Sequence, residues 1–338
     1  MAEIKNRQAV KAVAALLILF FHLWVSPFQG NTQLSIALTI EDFIRQTAYI
    51  GVDMFFLISA YSIAKYSIDD YKAFVLKRSG TVYIKFVLFA ITAFIYKKWK
   101  LNKLLLTICG ADLFIKGGGS FLWFLPVIIL VYIFLPLYKR ADEKNRPLAL
   151  GLVLACWLII GILVGQITDY NAFYIAWNRI PVILAGFYWG LLTLSKKPFV
   201  DDEMWKQRQN RRASVACFTI LLLTGILLLY GYGYKPRLQY PMPDMFYVLA
   251  VPAAMGLTYL SSLIKSGKII KYISRATLEM YGVQMVFGYN ICNRLVNIIS
   301  GKSRPTLIQA VIINLLSALA VTVISVIISQ IYSLIERK

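Results

Sequence analysis

Apolar runs recur along the whole chain and are separated by short polar segments. A helix needs about 20 predominantly apolar residues to cross a bilayer. On that measure the pattern predicts ten spans, at 8–28, 43–64, 80–97, 120–138, 148–166, 174–195, 213–231, 244–263, 273–293 and 307–333. An even number puts both ends on one side. The longest polar segments, around 65–78, 97–119 and 195–212, are each too short to build a core of their own. The expected fold is therefore all-α: a polytopic membrane protein of about ten transmembrane helices, forming one integral membrane domain over 1–338. The first apolar run, 9–25, lacks a clear small-residue cleavage site and reads as a retained helix. No internal repeat is apparent, which weakens a reading as a transporter made of repeated halves.

Composition agrees with the pattern. Of 338 residues 59% are hydrophobic, against roughly 45–50% in an ordinary soluble domain. The net charge of +20 does not point to nucleic acid, because Lys and Arg sit mainly in the short loops between apolar spans. There they set orientation and meet anionic lipid. With the N-terminus inside, 24 of the 36 basic residues fall on the inner side and 11 on the outer, with Arg179 inside a span. Both termini are thus expected to be cytoplasmic. One loop dissents: 97–119 carries five lysines on the outer side, together with an apolar stretch at 104–115 that reads as a re-entrant or interfacial helix. Cys109, Cys156, Cys217 and Cys292 show no CxxC spacing and read as thiols in or beside apolar segments, with no metal site expected.

Ionisable groups inside a bilayer are costly and point to function by default. His22 is the only histidine in the chain, and Asp53 lies in the apolar run 51–59. Arg179 follows Trp177 and Asn178 near the outer start of the sixth span, and Glu279 and Lys11 fall nearer the inner face, where they are candidates to pair. The alternating direction of the spans places His22, Asp53 and Arg179 in one layer of the bundle. An imidazole beside a carboxylate can act as general base, and a guanidinium can stabilise a substrate oxygen. Structural roles stand beside these: a hydrogen-bonded packing histidine, a helix-bonding aspartate, a snorkelling arginine.

Lys11 and His22 are eleven residues apart, which on a helix is a rise of roughly 16 Å with a net rotation of about 20°. Both therefore face one side, a geometry suited to a conduit from the inner face, with an anionic donor held at its mouth. Lys72, Lys77, Arg78 and Lys85 flank the inner start of the third span. They suit nucleotide phosphates, or equally orientation and lipid headgroups.

These residues resemble the membrane-bound acyltransferase 3 family. The family's first helix carries a basic residue, ten residues, then histidine, matched by Lys11 and His22, with Lys where Arg is commoner. Its second helix reads like GVDxFFxxSG, matched from Gly51 through Asp53 and Ser59 to Ala60, which replaces the Gly. A basic pair before the third helix is matched by Lys77 and Arg78. An HLWFLP stretch is matched by Phe121, Leu122, Trp123, Phe124, Leu125 and Pro126, without the His. A late SxExYLxH segment is matched around Glu279 and Tyr281, with Gln284 where His is common.

The resemblance implies an acyltransferase using acyl-CoA, often acetyl-CoA, as co-substrate, with no bound cofactor. It implies essential roles for Lys11 and His22; with the reading of the residues above, His22 and Asp53 are the expected catalytic pair and Lys11, Lys77, Arg78 and Lys85 the expected donor-binding residues. Arg179, Glu279, Tyr281, Gln284, Ser59 and Trp123 would be supporting residues. The acceptor would be a hydroxyl of a cell-envelope glycan, exopolysaccharide or lipid-linked sugar at the bacterial plasma membrane, with membrane lipids and polysaccharide biosynthesis machinery as partners and no nucleic acid. The rival readings are an exporter of a glycan or small solute, whose polar residues line a path without chemistry, and an assembly subunit of a polysaccharide synthase.

Overall fold

The computed structural model describes residues 3–26, 28, 35–114, 122–167, 175–194, 243–301 and 303–335. Among the described residues every regular element is helical. In chain order these are α1 (Arg7–Leu23), α2 (Ser35–Thr47), α3 (Ile50–Lys65), α4 (Tyr71–Tyr96), α5 (Leu101–Ile108), α6 (Phe124–Lys144), α7 (Arg146–Ile167) and α8 (Ile180–Leu194). After them come α9 (Pro243–Ser262), α10 (Lys268–Arg275), α11 (Thr277–Val283), α12 (Tyr289–Ser300) and α13 (Leu307–Ile335). A 3₁₀ turn, Ala111–Phe114, follows α5, and a π turn, Gln284–Gly288, joins α11 to α12.

Among the described residues four helices are long and apolar enough to cross a membrane: Tyr71–Tyr96, Phe124–Lys144, Ile175–Leu194 and Leu307–Ile335. The expected span at 213–231 and the segments 195–212 and 231–242 lie outside the described residues. Two expected spans are organised differently. The second, 43–64, is α3 alone, because the chain turns at Ala48–Tyr49 and sets α2 apart as a separate helix. The ninth, 273–293, is segmented: α10 ends at Arg275, α11 is seven residues long, and the π turn intervenes before α12. Apolar periodicity cannot register a change of helix type when the residues on both sides are equally apolar.

Local sequence explains the ends. Asn6 caps α1 by accepting from the Ala9 N–H at 3.1 Å, and Asp70 caps α4 by accepting from the Ala73 N–H at 2.9 Å. Asn145 separates α6 from α7, accepting from the Leu148 N–H at 3.2 Å. Pro147 then sits in the first turn of α7, where its missing N–H costs nothing.

The chain forms two compact units. One comprises Met1–Ile4 with Asp53–Leu260, the other Lys5–Val52 with Ser261–Lys338. In the first, α4 packs on α6, and α6 on α7. Its centre holds Phe56, Leu57, Tyr61 and Phe187, all fully buried. There α3 and α8 approach so closely that a Cβ on Gly186 would meet the Leu57 backbone, and one on Gly190 the Tyr61 carbonyl. In the second unit α1 packs against α10, α11 and α13, and α12 against α13. Gly51, at the head of α3, lies against Ala14, Leu17 and Ile18 of α1.

Candidate active site

In the first unit three expected residues come together. Asp53 lies in the first turn of α3, where the positive end of the helix favours a carboxylate. Arg179 stands at the turn leading into α8, its N–H bonded to the Ala176 carbonyl at 3.1 Å. The Arg179 Nε is 2.9 Å from Asp53 Oδ1, and both side chains are buried, 4% and 0% exposed. The guanidinium carbon lies 5.6 Å from the centroid of the Trp123 ring. That ring meets Phe56 at 6.3 Å and Phe124 at 6.4 Å, which walls the ion pair with aromatics. Asn178 is buried next to Arg179 in sequence. Asp53 and Arg179, expected to share a layer, are thus brought together, and Trp123 sits over the arginine.

Lower on α3, the Ser59 hydroxyl is hydrogen-bonded to that of Tyr132 on α6, within reach of the Arg78 charge. Sequence reasoning misses Tyr132, since a tyrosine in an apolar span carries no distinctive signal. Lys77 and Arg78 are exposed in the second turn of α4, and Lys85 is half-buried. The Arg78 guanidinium covers the Tyr66 and Phe74 rings at 5.8 and 6.0 Å. Lys139 and Arg140 of α6 join this basic region. Lys139 Nζ donates to the Ala64 and Tyr66 carbonyls at 3.0 and 2.6 Å, and Arg140 covers the Tyr71 ring at 5.7 Å. At the end of α3, burial works against the Lys65 ammonium. Its bonds to Glu3 and Tyr61 outweigh that and hold it above the usual lysine range.

In the second unit His22 occupies the last turn of α1 and is exposed, with Phe21 edge-on at 4.9 Å. Lys11 is exposed on the same face. The stripe between them is closed, because Ala15 and Ile18 are only 4% and 5% exposed. Gly51 is the reason at Ile18: lacking a side chain, it lets the backbone there lie directly against Ala14 and Ile18 of α1. A conduit lined by this face, expected from the eleven-residue spacing, is thus corrected to two separate exposed basic points.

Glu279, Tyr281 and Gln284 are all buried, Glu279 completely. Tyr332 on α13 lies close enough to feel the Glu279 charge. Gln284 opens the π turn, a helix irregularity that often marks functional positions. A Cβ on Gly288, at the end of that turn, would meet Leu23 Cδ2 at 2.7 Å. The π turn thereby packs beside the residue that follows His22.

The first unit thus buries an Asp–Arg pair under a tryptophan, and in the second the last turn of α1 carries the chain's one histidine. The acyltransferase domain model matches residues 8–334, and the chain belongs to the acyltransferase 3 family. The match runs through both units and every candidate residue from Lys11 to Gln284. No curated protein and no solved structure matches the chain.

Proposed function

We propose that this acyltransferase moves an acyl group, in the simplest case acetyl, from acyl-CoA to a hydroxyl of a cell-envelope glycan or exopolysaccharide at the bacterial plasma membrane, with both termini cytoplasmic. The observation that carries the reading is the buried Asp53–Arg179 pair under Trp123 in a chain of this family. A fully buried ion pair is expensive and contributes little net stability. Its retention in an apolar bundle fits chemistry that needs fixed charge.

In this reading Lys77, Arg78 and Lys85 hold the donor's phosphates, with Arg140 extending the same basic region, and Lys11 is a further donor-binding residue. His22 takes the proton of the acceptor hydroxyl as that oxygen attacks the thioester carbon. The tetrahedral oxyanion collapses, the carbon–sulfur bond breaks, and the leaving thiolate takes the proton from the imidazolium. Alternatively His22 carries the acyl group transiently on its ring nitrogen. Asp53, held by Arg179, is the second member of the expected catalytic pair. Arg179, Trp123, Ser59, Glu279, Tyr281 and Gln284 support the site.

The test is incubation of the purified protein with acetyl-CoA labelled in the acetyl group and candidate envelope glycans. A base-labile labelled ester on a glycan supports the reading. Consumption of no donor with any glycan, by protein shown to be folded, refutes it. A denaturing quench at neutral pH during turnover separates the two routes, because only the carrier route leaves label on the protein, as an acid-labile acylimidazole.

A further inference from the structure

We propose that Asn314 of α13 is a positioning residue for His22, holding the exit of α1 so that the imidazole stands at a fixed place. This rests on the reading of His22 as the reacting group.

α1 stops at Leu23, one residue past His22, and Trp24 is extended, with φ −78° and ψ 125°. The last carbonyls of a helix have no partner within it, and in an apolar bundle they must find one elsewhere. Here each of the four residues after His22 is held from another element. The Leu23 carbonyl faces the Cys292 thiol of α12 at 3.8 Å. The Trp24 indole N–H and the Ser26 hydroxyl both donate to Glu41 of α2, which is itself buried. The Val25 N–H donates to Asn314 Oδ1 at 2.8 Å, and Asn314 Nδ2 donates back to the Val25 carbonyl at 3.0 Å.

That last pairing is the most specific. It uses both halves of one side-chain amide on both backbone groups of one residue, so it fixes the segment after α1 in position and direction. Asn314 stands in α13, a helix long and apolar enough to span a membrane. A polar amide in such a helix is costly unless bonded. Because it binds backbone, the contact specifies where the chain goes and not which side chain stands there. A reacting group displaced by about 1 Å can lose on the order of 100-fold in rate. The Asn314 contact lies three residues from His22.

His22 is the only histidine, so a histidine-specific probe on the intact protein reads that residue alone. The experiment uses full-length protein in lipid nanodiscs and measures two things: the rate at which diethyl pyrocarbonate forms carbethoxyimidazole, followed by the ultraviolet absorbance of that product, and kcat and KM for acetyl-CoA. Asn314→Leu removes both bonds at similar volume, and Asn314→Ser shortens the arm while staying polar, should the leucine variant not fold. The expected result is a carbethoxylation rate changed severalfold and kcat reduced at least tenfold, with donor KM within twofold. A role confined to folding would move the melting temperature without splitting kcat from KM or altering the single-histidine reaction. An unchanged carbethoxylation rate in a folded variant overturns the proposal. A changed rate with unchanged kcat upholds the clamp and counts instead against the catalytic reading of His22.

Discussion

Asp53 and Arg179 are each other's charge partner in the interior of the first unit. Removing one partner of a buried pair leaves an uncompensated charge, which costs about 3–5 kcal/mol, while removing both together is often nearly neutral. Arg179→Met is therefore expected to lower the unfolding midpoint in detergent sharply, Asp53→Asn less, and the double variant less than the sum. Full additivity in this cycle would mean the pair is not coupled. Acyl transfer should be lost in all three, even where stability returns. At the basic region the expectation differs in kind. If Lys77 and Arg78 hold donor phosphates, their contacts are equal in ground and transition state, and the double change to Gln should raise donor KM far more than it lowers kcat. Each lost charge-assisted bond is worth about 1.5–3 kcal/mol. An unchanged donor KM would leave these residues to orientation and lipid contact. The residues legible in the sequence are those whose type is anomalous for their surroundings: His22, Asp53 and Arg179. Asn314, within the run 311–319, and Glu41 are anomalous by the same criterion, but only the fold shows that they meet the chain after α1. Tyr132 carries no such signal, because its role depends on which hydroxyl it faces.

Helix contacts at the next scale are set by small residues. Gly186 and Gly190 on α8 let α3 come within backbone contact, and any side chain at 186 would strike the Leu57 carbonyl. Gly186→Val is expected to destabilise by at least the 1–3 kcal/mol typical of overpacking, roughly, since rigid backbone cannot move aside as a side chain does. Gly80 on α4 and Gly151 on α7 face open space, and a Cβ added at either would meet nothing within 4 Å. Gly→Ala at either should stabilise, by roughly 0.5–1 kcal/mol, through helix propensity alone. Thermal unfolding of the three variants, followed by tryptophan fluorescence, checks both signs. An equally stable Gly186→Val protein would contradict the close α3–α8 crossing. The long helices are legible in the sequence, since runs such as α6 and α13 leave little choice of structure. The division at Ala48–Tyr49, the closed middle of the Lys11–His22 stripe and the π turn at Gln284–Gly288 are not. Each is fixed by which helix lies alongside, a fact that periodicity in one segment does not contain.

For the molecule as a whole, the distribution of charge sets the expected topology. Six basic residues in 195–212 against two in 231–243 predict the first segment inside and the second outside. A Trp205→Cys variant, in a background with Cys109, Cys156, Cys217 and Cys292 replaced, should resist a membrane-impermeant thiol reagent applied to intact cells. Labelling from outside would invert the topology and move the donor site with it. The expected outer side carries its own basic cluster around α5, where Lys103 covers the Trp99 ring at 4.6 Å. Burial, followed by the nearby Lys103 charge, holds Lys97 below the usual lysine range. Leu101 and Leu105 of α5 are exposed on one stripe, as an interfacial helix requires. The central claim, that this chain transfers an acyl group with His22 as the reacting imidazole, is tested most directly in reconstituted protein given labelled acetyl-CoA and the acceptor glycan. His22→Ala should bind donor as the unaltered protein does and lose transfer by about 100-fold or more, the usual weight of a general base. Transfer at near-normal rate by the folded variant would contradict it.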